Sequence, residues 1–320
     1  MTNEPIVECV PNFSEGNDIF KVVEIIRAMR EDGVRLLDFS LDRDHNRAVV
    51  TIAGRPAAVV EAAVRAVGRA SELLDLTGQT GVHPRIGVAD VIPFVPVSSI
   101  SLAECAMLAR QAGLQIWRRY GVPVYFYGAA AARPDRIELE NIRRGQFEGL
   151  RKSALNDASR RPDIGGPELH PTAGASAVGA RSFLIAYNVY LDSASSAVPA
   201  SAADIGAARA VARDIRASSG GLHGVKAIGV VANGRAQVSM NITDFRVTSL
   251  GRVYEAVCDL AARHGAAAGE GELVGLIPEE AVDEGAVWAK KTLNFDPDLK
   301  IFERRLEQRL PWPDSVQDLR

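Results

Sequence analysis

Apolar positions along the chain fall into two alternating periods. "PIVECV" (5–10) is a short β-branched run that stops at Pro11-Asn12 and reads as a strand. Next, apolar residues stand at 19, 20, 22, 23, 25, 26 and 29, a helical period opened by Asn17 or Asp18 and closed by Gly33. "VRLLDFS" (34–40) and "HNRAVVTIAG" (45–54) return to strand patterning across a short turn and are expected to pair as a hairpin. Pro56 opens an alanine-rich helix to about Leu74, since proline suits a first helical turn. "VADVIPFVP" (88–96) reads as a strand. Residues 101–120 read as a helix with Ser101 as N-cap and Glu104 at the capping-box position, and "VPVYFYG" (122–128) as a strand.

The second half repeats this order. It predicts a strand over 181–191, a helix over 201–218, a hairpin turning at Asn233-Gly234, a helix over 249–265 and a strand over 271–278. Strand-helix-strand-strand-helix-strand is the split βαβ order of ferredoxin-like domains. The pattern predicts an α/β (α+β) protein of two ferredoxin-like βαββαβ subdomains. Residues 1–179 and 180–295 form the subdomains and 296–320 a tail. The connecting segment is polar, partly helical over 136–159. Residues 161–180, rich in proline and glycine, have no helical period. A loop this long is usually functional or disordered, and it runs directly into a strongly apolar strand, which argues against disorder.

Composition narrows the classes. A chain of 320 residues exceeds what one compact core usually spans, which fits two subdomains. With 47% apolar and 24% charged residues it has an ordinary globular profile. A net charge of -3 gives no reason to expect nucleic acid or an anionic membrane as partner. Cys9, Cys105 and Cys258 are far apart, with no pair at metal or disulfide spacing. The N-terminus lacks a basic region followed by an apolar core, and no apolar run is long enough for a membrane span. A cytoplasmic setting is expected.

Three stretches carry candidate chemistry. In "TGQTGVHPRIGVAD" (77–90), Pro84 pushes His83 toward extended backbone, Gly81 admits a close approach, and Arg85 and Asp90 follow. A histidine on a rigid turn at a strand mouth suits general acid–base work, because it titrates near neutrality. The plainer reading is a turn histidine bonded to backbone. "DIGGPELHPTAG" (163–174) leaves many backbone N–H groups uncovered, as loops that cradle anions or planar ligands do. It lacks the lysine and spacing of a phosphate loop, and the alternative is a crossover that needs small residues for packing. "DRDHNRAVV" (42–50) has carboxylates beside His45 but no second histidine at metal-ligand spacing, so a solvated turn explains it more simply. Asn46 and Arg47 can still face a cleft. Ser14 lacks the frame of a nucleophile elbow.

"VECVPNFSEG" (7–16), "HNRAVVT" (45–51), "HPRIGVADVIPFVP" (83–96), "VPVYFYG" (122–128) and "HPTAGASAVGARSFLIAYNVYL" (170–191), in that order, resemble the glutamate formimidoyltransferase family. The likeness runs from about residue 6 to about residue 280. It implies transfer of the formimidoyl group from N-formimidoyl-L-glutamate to N5 of tetrahydrofolate, in histidine degradation, by a homodimer whose two α/β subdomains have a folate-lined cleft between them. Tetrahydrofolate is then a co-substrate, and no metal is needed. By the H-P-R-x-G match the family's catalytic histidine falls on His83, acting as base and then as acid. Its folate-binding segment falls on Gly165, Gly166, Pro167, Glu168, Leu169, His170, Pro171, Thr172, Ala173 and Gly174. Both substrates carry carboxylates, so Arg47, Arg85 and Arg181 are candidate anchors. Animal members carry a tryptophan where this chain has Ala173, and a fused cyclodeaminase for which residues 279–320 are too few. The chain resembles the bacterial stand-alone form. Two other readings remain: a 5-formyltetrahydrofolate-linked one-carbon enzyme on the same scaffold, which would need ATP, and a non-catalytic folate-binding protein, which would tolerate loss of His83.

Overall fold

The structure is a computed structural model. It describes residues 4–81, 83–193, 202–282, 287–293, 295–308, 311–315 and 317. The chain divides into two compact units, residues 1–181 with 309–320, and residues 182–308. The segment 296–308, set apart as a tail in the sequence reading, lies in the second unit.

The first unit runs β1 (Ile6–Cys9), β2 (Asn12–Phe13), α1 (Ile19–Ala28), β3 (Val34–Asp42), β4 (Arg47–Gly54), α2 (Pro56–Leu73), β5 (Ala89–Ser98), α3 (Leu102–Tyr120), β6 (Val124–Gly128), α4 (Leu139–Arg143), α5 (Gln146–Asn156) and β7 (Ser176–Ala180). β1 and β2 are one strand broken at Val10-Pro11, and both pair antiparallel with β4 and β5. With β3 on the far side of β4, the spatial order β5-β1-β4-β3 is that of a ferredoxin-like sheet. The sheet then continues: β7 pairs in parallel with β5 on one side and β6 on the other. So the end of the loop-like segment 161–180 is a central strand, wholly buried and made of small residues.

Local signals explain the helices. Asp18 caps α1 through the N–H groups of Phe20 and Lys21. Ser101 and Glu104 form the expected capping box, and Gly121 ends α3 in the left-handed conformation at φ +64°. The apolar faces of α1, α2 and α3 cover the sheet in a core that includes Phe13, Ile25, Ile52, Val64, Phe94, Ile116 and Tyr125.

The second unit has β8 (Ile185–Ser193), α6 (Ala202–Ile215), β9 (Val225–Ala232), β10 (Arg235–Ile242), α7 (Leu250–Arg263), β11 (Ala266–Val274) and short helices α8 (Val287–Lys291), α9 (Pro297–Lys300) and α10 (Phe302–Glu307). Ser201, the expected start of its first helix, lies outside the described residues. The order β11-β8-β10-β9 is again ferredoxin-like. The β9–β10 hairpin turns at Asn233-Gly234, both at positive φ. The final strand lies earlier than the 271–278 expected, because "AAAGEG" pairs with β8 although alanine and glycine carry no strand signal.

Candidate active site

His83 stands on the loop between α2 and β5. Its Nδ1 lies 2.8 Å from the Pro84 carbonyl oxygen and 2.8 Å from Nη1 of Arg47. One ring nitrogen cannot donate to the carbonyl and accept from the guanidinium at once. When it accepts from Arg47 the ring proton is on Nε2. When it donates to Pro84, Nε2 is a lone pair. Burial, then the guanidiniums of Arg47 and Arg143, push the His83 pKa down to about 2.

A buried ion cluster supports this ring. Asp90, at 0% exposure, enters from the start of β5. Its Oδ1 accepts from the Ile86 N–H at 2.8 Å, and its Oδ2 accepts from Arg47 at 3.1 Å and from Nη2 of Arg143. Burial acts to raise the Asp90 pKa, but Arg143 and Arg47 hold it below the usual value. Arg47, the first residue of β4, also donates through Nε to Asn12 Oδ1 at 3.0 Å. The loop is fixed from the other side as well. Arg85 donates to Gln79, Gln146 and Glu148, with its closest carboxylate contact at 2.8 Å, and the Phe147 N–H donates to the Arg85 carbonyl.

A Cβ at Gly81 would lie 2.7 Å from the His45 carbonyl oxygen, so the glycine lets the 42–46 turn press against the loop. Asn46 bridges outward, accepting from the Gly16 N–H at 2.8 Å and donating to the Thr80 carbonyl at 2.8 Å. His45 sits edge-on to His83, ring centroids 6.1 Å apart. Its Nδ1 is 2.7 Å from Asp42 Oδ2.

The 165–174 segment is anchored at both ends. Val124 donates to the Ile164 carbonyl, and the Val88 N–H donates to the Ala173 carbonyl. The Ala173–Gly174 end thus lies on the residues that follow His83. Gly166, Pro167 and Glu168 are exposed, Leu169 is buried, and the Gly166–Pro167 bond is cis. His170 closes a tight turn: its Nδ1 accepts from the Ala173 N–H at 2.9 Å, and burial lowers its pKa. The glycines are accounted for by packing. Gly165, Gly166 and Gly174 all have positive φ, and a Cβ would meet the Trp117 ring, the Pro162 ring and the Ile86 carbonyl, respectively.

Residues 6–181 match the family model described as "Formiminotransferase domain, N-terminal subdomain", and residues 186–301 match "Formiminotransferase domain". The chain belongs to the formiminotransferase family. It is 40% identical over 304 residues to a glutamate formimidoyltransferase of Streptococcus pyogenes serotype M1, covering 94% of this chain and 98% of that protein. A glutamate formimidoyltransferase of Thermoplasma acidophilum is 41% identical over 308 residues, with 95% and 98% covered. A formimidoyltransferase-cyclodeaminase of Gallus gallus is 40% identical over 300 residues, and the match covers 53% of that longer protein.

In this formiminotransferase the structure sorts the residues singled out from sequence. It joins His83, Arg47 and Asp90. It engages Arg85 with Glu148, away from that cluster. Arg181, just after β7, bonds the buried Tyr127 hydroxyl, and burial raises the Tyr127 pKa to about 12. Arg143 was not singled out, because nothing local distinguishes it from other arginines of the linker. Among the described residues no group of three or more His, Cys, Asp or Glu side chains is arranged to hold a metal.

Proposed function

We propose that this chain transfers the formimidoyl group from N-formimidoyl-L-glutamate to N5 of tetrahydrofolate, releasing L-glutamate, with His83 as the proton acceptor. The observation that carries the reading is His83 itself: a half-buried imidazole kept neutral by its desolvation and by two guanidiniums, on the H-P-R turn of a formiminotransferase. A neutral ring is the form a base needs.

Substrate binding prepares it. Both substrates bring carboxylates, and Arg47, Arg143 and Arg181 are the cations we assign to them, since Arg47 and Arg143 act on His83 and Arg143 and Arg181 on the nearby Tyr127, whereas the Arg85 guanidinium is directed to Glu148. A carboxylate that draws on Arg47 releases Nδ1 of His83. Nδ1 then donates to Pro84, and Nε2 becomes the lone pair that takes the N5 proton as N5 bonds to the formimidoyl carbon. The added negative charge also raises the imidazole's affinity for that proton. We assign the folate to the 165–174 segment, whose exposed part is Gly166–Glu168. Ala173 is buried, so it offers no face for stacking.

The test is a product assay. Purified protein is incubated with tetrahydrofolate and either N-formimidoyl-L-glutamate or N-formyl-L-glutamate, and the 5-substituted folate is identified by its absorbance and mass. Formation of 5-formimidoyltetrahydrofolate without ATP supports the reading. A product that appears only with ATP, or folate binding without any product, supports one of the two rivals.

A further inference from the structure

The 42–46 turn brings a second imidazole to the site. His45 lies with its ring centroid 6.1 Å from that of His83, the planes at 62°. Asp42 holds it twice: Oδ2 is 2.7 Å from Nδ1, and Oδ1 accepts the His45 backbone N–H at 2.9 Å. The side chain is only 14% exposed. This pairing fixes the proton on Nδ1, as carboxylate–imidazole pairs do, and leaves Nε2 with no protein partner among the described residues.

The two rings are biased in opposite directions. The charged groups that His45 feels are Asp42, Asp44 and Arg47, beside the neutral His83. The Asp42 bond dominates and raises the His45 pKa; burial and Arg47 oppose it. His83 has guanidiniums where His45 has a carboxylate. Neighbouring titratable groups driven apart by their surroundings are the usual arrangement of an acid and a base. A His83 imidazolium disfavoured by two arginines is a poor store for a proton. An imidazolium backed by Asp42 is a good one.

We propose that His45 is a second catalytic imidazole, which delivers the proton to the departing glutamate nitrogen. This rests on the formimidoyl-transfer reading and on His83 as acceptor. N5 bonds to the formimidoyl carbon as its proton passes to Nε2 of His83, and the π pair of the C=N bond moves onto the formimidoyl group's terminal nitrogen. The bond from that carbon to the glutamate nitrogen then breaks, its electron pair going to that nitrogen. Nε2–H of the His45 imidazolium supplies the proton, so glutamate leaves as an amine. The carbon's remaining nitrogen closes the C=N bond. His83 is left charged and His45 neutral, and passage of one proton between them resets the site.

The experiment measures kcat and KM across pH 6–9.5 for the full chain, His45→Gln and Asp42→Asn, with thermal melts of each. His45→Gln should lower kcat by about 10²–10⁴, the usual contribution of a positioned acid or base, with both KM values within about threefold of wild type. It should also abolish the alkaline fall in kcat, which in the wild type reports loss of the His45 proton. Asp42→Asn should keep that fall but move it to lower pH, a change that a merely structural role would not produce. If His45→Gln does not fold, the Asp42→Asn limb decides alone. The assignment is overturned if His45→Gln keeps kcat within about threefold and retains the alkaline limb, if only KM changes, or if Asp42→Asn leaves the limb in place. An active wild type with any of those results refutes His45 alone; a wild type that transfers nothing refutes the transfer reading and this assignment with it.

Discussion

Nη1 of Arg47 lies 2.8 Å from Nδ1 of His83 and, on its other side, 3.1 Å from Oδ2 of Asp90. Through this arrangement a buried carboxylate sets the orientation of a guanidinium, and the guanidinium sets where the imidazole keeps its proton. Three segments meet here, from the start of β4, the α2–β5 loop and β5, and each carries one of the residues. Arg143, at the end of α4, adds the second cation on Asp90.

The lowered His83 pKa gives a signed pH effect. Above about 6.5, the ordinary imidazole value, His83 is neutral in both folded and unfolded chains. Below it, the unfolded chain binds a proton that the native site refuses, so stability falls as pH falls toward the native value of about 2. Urea unfolding at pH 7.5 and pH 5 should show a larger loss for wild type than for His83→Gln. The acid limb of kcat/KM should likewise lie well below pH 6.5. An acid limb at the ordinary value would show that the guanidiniums do not act on this ring.

Asp90→Asn leaves Arg47 and Arg143, both largely but not fully buried, without their shared counter-charge. Breaking one side of a buried ion pair costs about 3–5 kcal/mol, and the denaturation midpoint should fall accordingly. Activity should fall too, because Arg47 loses its support. A variant as stable as wild type would mean that the cluster is solvated.

Arg85→Gln separates the arginines. It removes the clamp on Glu148, so it should lower the melting temperature while leaving both KM values near wild type. A rise in the KM of formimidoylglutamate without loss of stability would return Arg85 to the substrate.

Gly174→Ala tests why the 165–174 segment is glycine-rich. The residue has φ +71°, and its Cβ would stand 2.2 Å from the Ile86 carbonyl oxygen. Destabilisation of at least about 1–3 kcal/mol is expected from backbone strain alone. The folate KM should change no more than the donor KM. A stable variant with a selectively raised folate KM would point instead to close approach of the ligand.

Both ferredoxin-like units were legible in the sequence because their hairpins have local causes. The alternation of 34–54 and the Asn233-Gly234 turn fix register without help from distant residues. β7 was hidden: "SAVGA" is too small and uniform to show a period, and it becomes a strand only because β5 and β6 leave a slot between them. His83 and Arg47 were recognisable from their immediate neighbours. Arg143 was not, since its partner Asp90 is 53 residues away. His45 read as part of a solvated turn, because its place beside His83 depends on the close approach at Gly81, a tertiary fact with no local signature.

The central claim is that His83 accepts the N5 proton. Its most direct test is the turnover of N-formimidoyl-L-glutamate and tetrahydrofolate by His83→Gln beside the wild type, with folding checked by thermal melts. The expected result is a folded variant whose KM values are near those of wild type and whose kcat is lower by about 10²–10⁴. A folded His83→Gln that forms 5-formimidoyltetrahydrofolate within about threefold of the wild-type rate would contradict the claim.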